Sequence, residues 1–252
     1  MKFSVIIPTY NRAESQPGGL VVNRSVLAVF AHPDDAELGC FGTLAALARA
    51  GFEPHILALT NGASSCSPDA AFRTAEAKES AGVIGADLVI ENFVDGGLEP
   101  KRETYACVND HLARVRPSIV VTHMVGALDH QDHETAGRAA TTIAGRTPCV
   151  SLILQSEPPL MNNLFCPDFY VDITAYMAEK LNAMSRYRSE RDKPFMAERA
   201  IRDRAAWWAR QAETQNLPTT RYYEAFRLVK AKLDFGLLAA LGPAAWGKVG
   251  VA

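Results

Sequence analysis

Ala31-His32-Pro33-Asp34-Asp35 follows directly on the apolar run Val26 to Phe30, and His130-Gln131-Asp132-His133 comes about a hundred residues later. Together the two strings offer two imidazoles and a carboxylate for a metal ion, with a second carboxylate and a third imidazole left over to move protons. Catalytic zinc is typically held by three protein ligands, the fourth position being open to water. His32 and Asp35 are three residues apart, so a tight turn or a first helical turn can aim both at one point. Pro33 favours such a turn, because it drives the residue before it into extended geometry and itself suits a helix start. The third ligand has to come from elsewhere in the fold, and His133 is the best placed. If His130 joined as well, the shell would close, so one of that pair is expected to stay free. This inventory suits metal-dependent hydrolysis.

The same side chains have plainer uses. Two adjacent carboxylates at a helix start often only cap it and compensate its dipole. His55 and His111 are read as surface or core residues, and His123, at a strand end, as packing. It is the coincidence of two motifs at one edge of a sheet that favours a site.

The elements that must position them alternate along the chain. Extended runs are expected at Val26 to Ala31, Pro54 to Thr60, Asp87 to Glu91, Ser118 to His123 and Pro148 to Leu154. Helical periods lie between them, at Glu37 to Ala50, Ala70 to Ile84, Thr104 to Val115 and His133 to Ala144. This is the pattern of parallel βαβ units, and it predicts an α/β fold: a Rossmann-like, doubly wound, mainly parallel sheet with helices on both faces. Ligands of such sheets sit outside the carboxyl ends of the strands, where strand order reverses. His32 follows the first core strand and the His130 cluster follows the fourth, so both fall on that edge. Beyond Pro158-Pro159 a strand at Tyr170 to Ile173, helices at Thr174 to Arg191 and Phe195 to Glu213, and an extended run at Tyr222 to Val229 are expected, giving a helical C-terminal portion.

The 252 residues, 48% of them apolar and 21% charged, suit one globular domain. Residues 1–23 read as an extension and linker and 24–252 as the domain, its core at 24–157 and a C-terminal part at 158–252. A net charge of −2 leaves no basic footprint for nucleic acid, so a small or neutral substrate is expected. Five cysteines without a C-x-x-C pair suggest neither a disulfide framework nor a cysteine zinc site, and point to a reducing, cytoplasmic setting. The five-residue apolar run after Lys2 is too short for a signal h-region, and no stretch reaches the length of a transmembrane segment. The short apolar tail from Phe235 to Trp246 is read as packing on the domain or on a second copy, in a homo-oligomer. Phe3 to Arg12 resembles the opening strand and turn of family 2 glycosyltransferases, but the chain contains no Asp-x-Asp motif.

AHPDDAELGCFGTLA and HQDHETAG are similar to the signatures of the PIG-L/LmbE family of zinc-dependent N-acetylglucosaminyl deacetylases. Weaker echoes extend the resemblance from about Arg24 to Val229: Thr60-Asn61-Gly62, Arg73 with Glu76, Asp95-Gly96-Gly97, Val171 to Thr174 followed by Lys180, and Tyr223 to Phe226. The resemblance implies that His32, Asp35 and His133 bind Zn2+, the same ligands also accepting Fe2+. It implies Asp34 as general base, His130 as an imidazolium stabilising the oxyanion, and Asp132 as the residue that holds the His130 ring. Arg73 and Asp95 match positions that contact sugar in some relatives. The implied reaction removes the N-acetyl group of an N-acetylglucosamine-type amino sugar in a glycoconjugate or natural-product intermediate, a small-molecule conjugate.

The chain departs from the pattern at Ala36, where Glu is common and Glu37 is expected to give similar support; at Phe41, where Gly is frequent; at Gln131, in place of Pro; and at Leu128, where some members carry a tyrosine that donates to the oxyanion. Two other classes compete. A non-haem Fe(II) oxygenase also uses two histidines and a carboxylate, but predicts a β-rich barrel. A non-catalytic carbohydrate-binding module needs neither Asp34 nor His130.

Overall fold

The computed structural model describes residues 3–5, 23–63, 70–160, 164–212 and 221–232. Among the described residues eight strands form one sheet: β1 (Phe3–Val5), β2 (Ser25–Phe30), β3 (Glu53–Thr60), β4 (Asp87–Phe93), β5 (Ile119–His123), β6 (Leu152–Ser156), β7 (Phe169–Asp172) and β8 (Tyr223–Ala231). The same residues hold six α-helices: α1 (Asp35–Arg49), α2 (Ala70–Ala81), α3 (Arg102–Val115), α4 (Gln131–Arg146), α5 (Met177–Met184) and α6 (Glu198–Ala212). The strand order is β1-β7-β8-β6-β5-β2-β3-β4. All pairings are parallel except those of β8 with β6 and β7.

β2 is the hinge of the topology. From it the chain winds outward through β3 and β4 on one side, then returns to β5 and winds through β6 on the other. The order therefore reverses between β2 and β5, and a crevice opens at the carboxyl ends of those two strands. Alternation along β2 explains why helices cover both faces. Val26, Ala28 and Phe30 pack into a cluster with α1 and α5, whereas Leu27 and Val29 face a second cluster built by α3 and α4.

Glycines let two helices press on the site edge. A Cβ at Gly42 of α1 would sit 2.8 Å from Ile173, and one at Gly137 of α4 would sit 2.6 Å from the carbonyl oxygen of His123. Only a residue without a side chain allows so close an approach. α1 is further pinned by Glu224 of β8, whose carboxylate accepts from the Gly42 and Thr43 amides and from the Thr43 hydroxyl. Lys180 of α5 completes the pin, donating to Glu224 at 2.6 Å and to the Leu38 carbonyl at 2.7 Å. Two of the weaker sequence echoes thus meet in one buried network.

The open, doubly wound sheet is the expected architecture and rules out the barrel of the oxygenase reading. Some boundaries differ. The fifth expected strand lies at Leu152–Ser156, because residues 147–150 turn out of α4. The expected helix from Thr174 is broken into a 3-10 turn and the short α5, and the expected helix from Phe195 begins only at Glu198. Phe3–Val5 of the N-terminal stretch pairs in parallel with β7. The rest of the transferase-like segment, Cys66 and the apolar tail lie outside the described residues.

Candidate active site

β2 ends at Phe30, and the next residues turn sharply. Asp34 stands at φ 98°, ψ −25°, in the left-handed region that a residue with a side chain rarely adopts. Such a backbone costs on the order of 1–3 kcal/mol and persists only where its surroundings over-determine it. The turn places His32 at the carboxyl end of β2 and Asp35 in the first turn of α1. Across the crevice His130 is the N-cap residue of α4 and His133 lies in its first turn. β2 and β5 are adjacent and parallel, so both helix starts converge on one point.

Three side chains face each other there. His32 Nδ1 is 3.2 Å from Asp35 Oδ2 and 3.2 Å from His133 Nε2, and His133 Nε2 is 3.4 Å from Asp35 Oδ1. A tetrahedral ion with bonds of about 2.0–2.1 Å separates its ligands by roughly 3.3–3.4 Å. The three side chains, each offering one atom within 4.8 Å of the others, therefore stand at separations close to those of zinc ligands. The far nitrogens are also held. His32 Nε2 lies 3.0 Å from Asp95 Oδ1 and 3.2 Å from Asp132 Oδ2, and His133 Nδ1 lies 2.8 Å from Asp129 Oδ2. Carboxylates that accept from these nitrogens fix the tautomer, turn the remaining lone pairs toward the triangle and raise ligand basicity.

A rival grouping of His32, His130 and Asp132 fits a cation less well. Asp132 is fully buried, and each of its oxygens already takes a backbone amide, from Gly96 at 2.7 Å and from Leu98 at 3.0 Å. Asp132 thus ties the 94–98 loop to α4 and braces His32.

Several expected contacts are replaced by others. Asp132 does not hold the His130 ring with its carboxylate, which points to His32; instead the Asp132 amide donates to His130 Nδ1 at 3.1 Å, capping α4. That bond leaves His130 Nε2 to carry the proton in the neutral ring. Burial and the neighbouring His133 and His32 depress the His130 pKa below the ordinary histidine value, which works against the imidazolium expected of it. Asp95 borders the cleft but commits an oxygen to His32. Arg73 is buried, with its guanidinium 3.0 Å from Asp34 and 3.2 Å from Glu190, and it donates to the carbonyls of Pro33 and Gly62. These bonds make it a clamp on the Asp34 turn, at the border of the same cleft. Glu37 accepts from the Ser80 and Tyr187 hydroxyls, a packing role in place of the support expected from it at the site. His55 and His111 pair with Asp87 and Glu91, as ordinary structural histidines do.

Two participants escape the sequence reading. Asp129 is one; an acidic residue four positions before His133 at a helix start was the signal available. His123 is the other. It stacks on His133 with ring centroids 4.0 Å apart, and its Nε2 lies 3.2 Å from Asp35 Oδ2.

The electrostatics are those of a cation cage. Against burial, which alone would lower them, the surrounding carboxylates push the His32 pKa up to about 12 and that of His133 up to about 9. Burial, with the His133 charge, takes His123 down to about 4. Burial raises Asp34 to about 7, the Arg73 guanidinium opposing it. The site opens into a cleft of about 270 Å³ bordered by Asp34, His130, Leu160 and Lys193. Leu128, two residues before His130, stands at φ 59° and is 85% exposed, without a hydroxyl to offer.

Residues 27–144 match the PIG-L family profile, described as GlcNAc-PI de-N-acetylase. The chain is 31% identical over 173 residues to the uncharacterized deacetylase YaiS of Escherichia coli K12, which covers 66% of this chain and 91% of that protein. This protein belongs to the PIG-L family. Its fold is shared with the N,N'-diacetylchitobiose deacetylase of Pyrococcus horikoshii, at TM-score 0.70 and 24% identity over 87% of either chain. It is shared equally with GalB, the 4-carboxy-2-hydroxymuconate hydratase of Pseudomonas putida KT2440, at TM-score 0.72 and 20% identity over 83% of this chain and 98% of that one. The fold alone therefore does not select the reaction.

Proposed function

We propose that this protein is a metal-dependent hydrolase that removes the acetyl group from an N-acetylglucosamine-type amino sugar carried on a larger conjugate, acting in the cytoplasm. The observation that carries the reading is the His32, Asp35 and His133 triangle, with Asp34 and His130 bordering the same cleft. His32, Asp35 and His133 would hold the ion; two imidazoles and a carboxylate with an open position suit zinc and also accept Fe2+. When bound, such an ion polarises an amide carbonyl and brings the pKa of water to about 7.

The chain's own groups supply the rest. Asp34, clamped by Arg73, takes a proton from the attacking water as the new C–O bond forms. Burial sets this carboxylate near neutrality, where a general base works best. His130 presents Nε2–H to the carbonyl oxygen as its negative charge develops, a donor fixed in place by the Asp132 amide. Asp34 then returns the proton to the amine nitrogen as the C–N bond breaks, releasing acetate and the free amino sugar. Asp132 acts through His32 and the 94–98 loop, as a positioning residue.

Acetate release from N-acetylated glucosides by protein loaded with Zn2+ or Fe2+ tests this reading, and turnover is expected with at least one of the two ions. Absence of acetate with both, alongside hydration of a conjugated enol acid such as the GalB substrate, would replace deacetylation with the other chemistry this fold supports. Among the described residues no helix is long and apolar enough to cross a membrane, and a small-molecule conjugate is the partner proposed.

A further inference from the structure

The cleft over the metal triangle is small. Its volume of about 270 Å³ lies below the ~300–1,000 Å³ of pockets that enclose a whole drug-sized ligand. An acetamido sugar would occupy it and leave little room for the rest of a conjugate. A second cavity, of about 380 Å³, lies beside it. Leu38 and Phe195 wall both, and the segment 157–160 runs from one into the other, Glu157 lining the second cavity and Pro159 and Leu160 the first.

α6 builds the far wall. Ala200, Arg204 and Trp207 recur at helical spacing and share one face toward the cavity. Arg204 and the Trp208 N–H of that wall are already engaged by the segment 157–160, and Asp203 pairs with Arg199. The Trp208 indole N–H donates to Glu157 Oε2 at 2.8 Å, and Arg204 lies 3.6 Å from Glu157 Oε1 and donates to the Pro159 carbonyl. What remains to meet a ligand is mainly apolar. Trp207 is 45% exposed there and Leu160, on the wall of the first cavity, is 61% exposed. Neither is buried in the core, and large apolar groups grouped at the mouth of a pocket mark a binding surface.

We propose that the second cavity seats the aglycone of the substrate, as an apolar ring system attached to the amino sugar, with Trp207 and the open space over Ala200 setting specificity. This rests on the amino-sugar reading above. The continuous wall of Leu38 and Phe195 makes one ligand span both cavities, sugar over the metal triangle and ring system against α6.

The test compares methyl and 2-naphthyl glycosides of N-acetylglucosamine. Wild-type protein is expected to favour the naphthyl compound by about tenfold in kcat/KM, mainly through KM, the size of one large apolar contact. Trp207→Ala removes the wall and Ala200→Trp fills the cavity from a half-buried helix position; each should bring the naphthyl-to-methyl ratio to about one. Calorimetry with the already deacetylated naphthyl and methyl glucosaminides should give the same ratios as binding constants. If neither N-acetyl compound releases acetate, the deacetylase reading fails, and calorimetry alone still decides the cavity. Equal binding of both glycosides to wild type, or a naphthyl preference that survives both substitutions, would overturn the proposal.

Discussion

Asp34 Oδ2 lies 3.0 Å from Arg73 Nη2, and the same arginine donates to the carbonyl of Pro33, one residue earlier. A guanidinium from α2 thus grips both the side chain and the backbone of a turn whose φ of 98° would otherwise be unfavourable. Glu190 holds the other side of Arg73 at 3.2 Å, and Glu76 fixes the loop bearing Glu190 by accepting from the Arg188 and Ser189 amides. Strain at Asp34 is thereby sustained by α2 and the loop bearing Glu190, and it positions the group proposed as base.

Asp34→Asn keeps the size of the side chain and tolerates the left-handed backbone, but it cannot take a proton. Turnover is expected to fall by about 10²–10⁴-fold, the usual contribution of general base catalysis, with metal stoichiometry unchanged. Full turnover in a metal-replete variant would remove Asp34 from the role. The wild-type rate should fall as pH drops below the neutral range, since the base works only when ionised; a rate that stays flat there would speak against it.

Asp129→Ala should weaken metal binding by about 10–100-fold, as loss of a carboxylate behind a ligating histidine does, while kcat at saturating metal changes much less. Competition with a chromogenic chelator measures the affinity. An unchanged constant would mean that the 2.8 Å bond to His133 does not tune the ligand.

In metal-free protein, stability should depend on pH through His133. Its folded pKa is raised from 6.5 to about 9. The associated stability is therefore fully present below about pH 6.5 and is lost as pH rises toward 9. Metal affinity runs the other way and strengthens over the same window, because the ion displaces that proton. Melting temperatures of metal-free and zinc-loaded protein should diverge as pH increases; parallel curves would contradict the cage.

Much of this site was legible as residue types at spacings. His32, Asp35 and His133 could be read because their distances along the chain match helix starts, and the βα alternation put both motifs at carboxyl ends of strands. The contacts behind them could not be read, because they join residues far apart in sequence. Asp132 was paired with its neighbour His130, yet its carboxylate crosses the crevice to His32, a hundred positions away. Arg73 carried a sugar contact by resemblance, and its grip on the Asp34 turn comes from surroundings that no motif announces. β8 inserts between β6 and β7 in antiparallel sense, a pairing that no local pattern announces.

Gly137→Ala tests how closely α4 must approach β5. The added Cβ would meet the His123 carbonyl at 2.6 Å, a backbone atom that cannot swing away. A loss of about 1–3 kcal/mol, typical of overpacking, is expected together with weaker metal binding, because His133 rides on the same helix. Retention of both would mean that the approach is slack.

The most direct measurement is anomalous scattering at the zinc edge from crystals of zinc-soaked protein. One peak is expected about 2.0–2.2 Å from His32 Nδ1, His133 Nε2 and an Asp35 carboxylate oxygen. A peak seated instead between His130 and Asp132, or none near His32 at full zinc loading, would contradict the metal site on which the proposed chemistry depends.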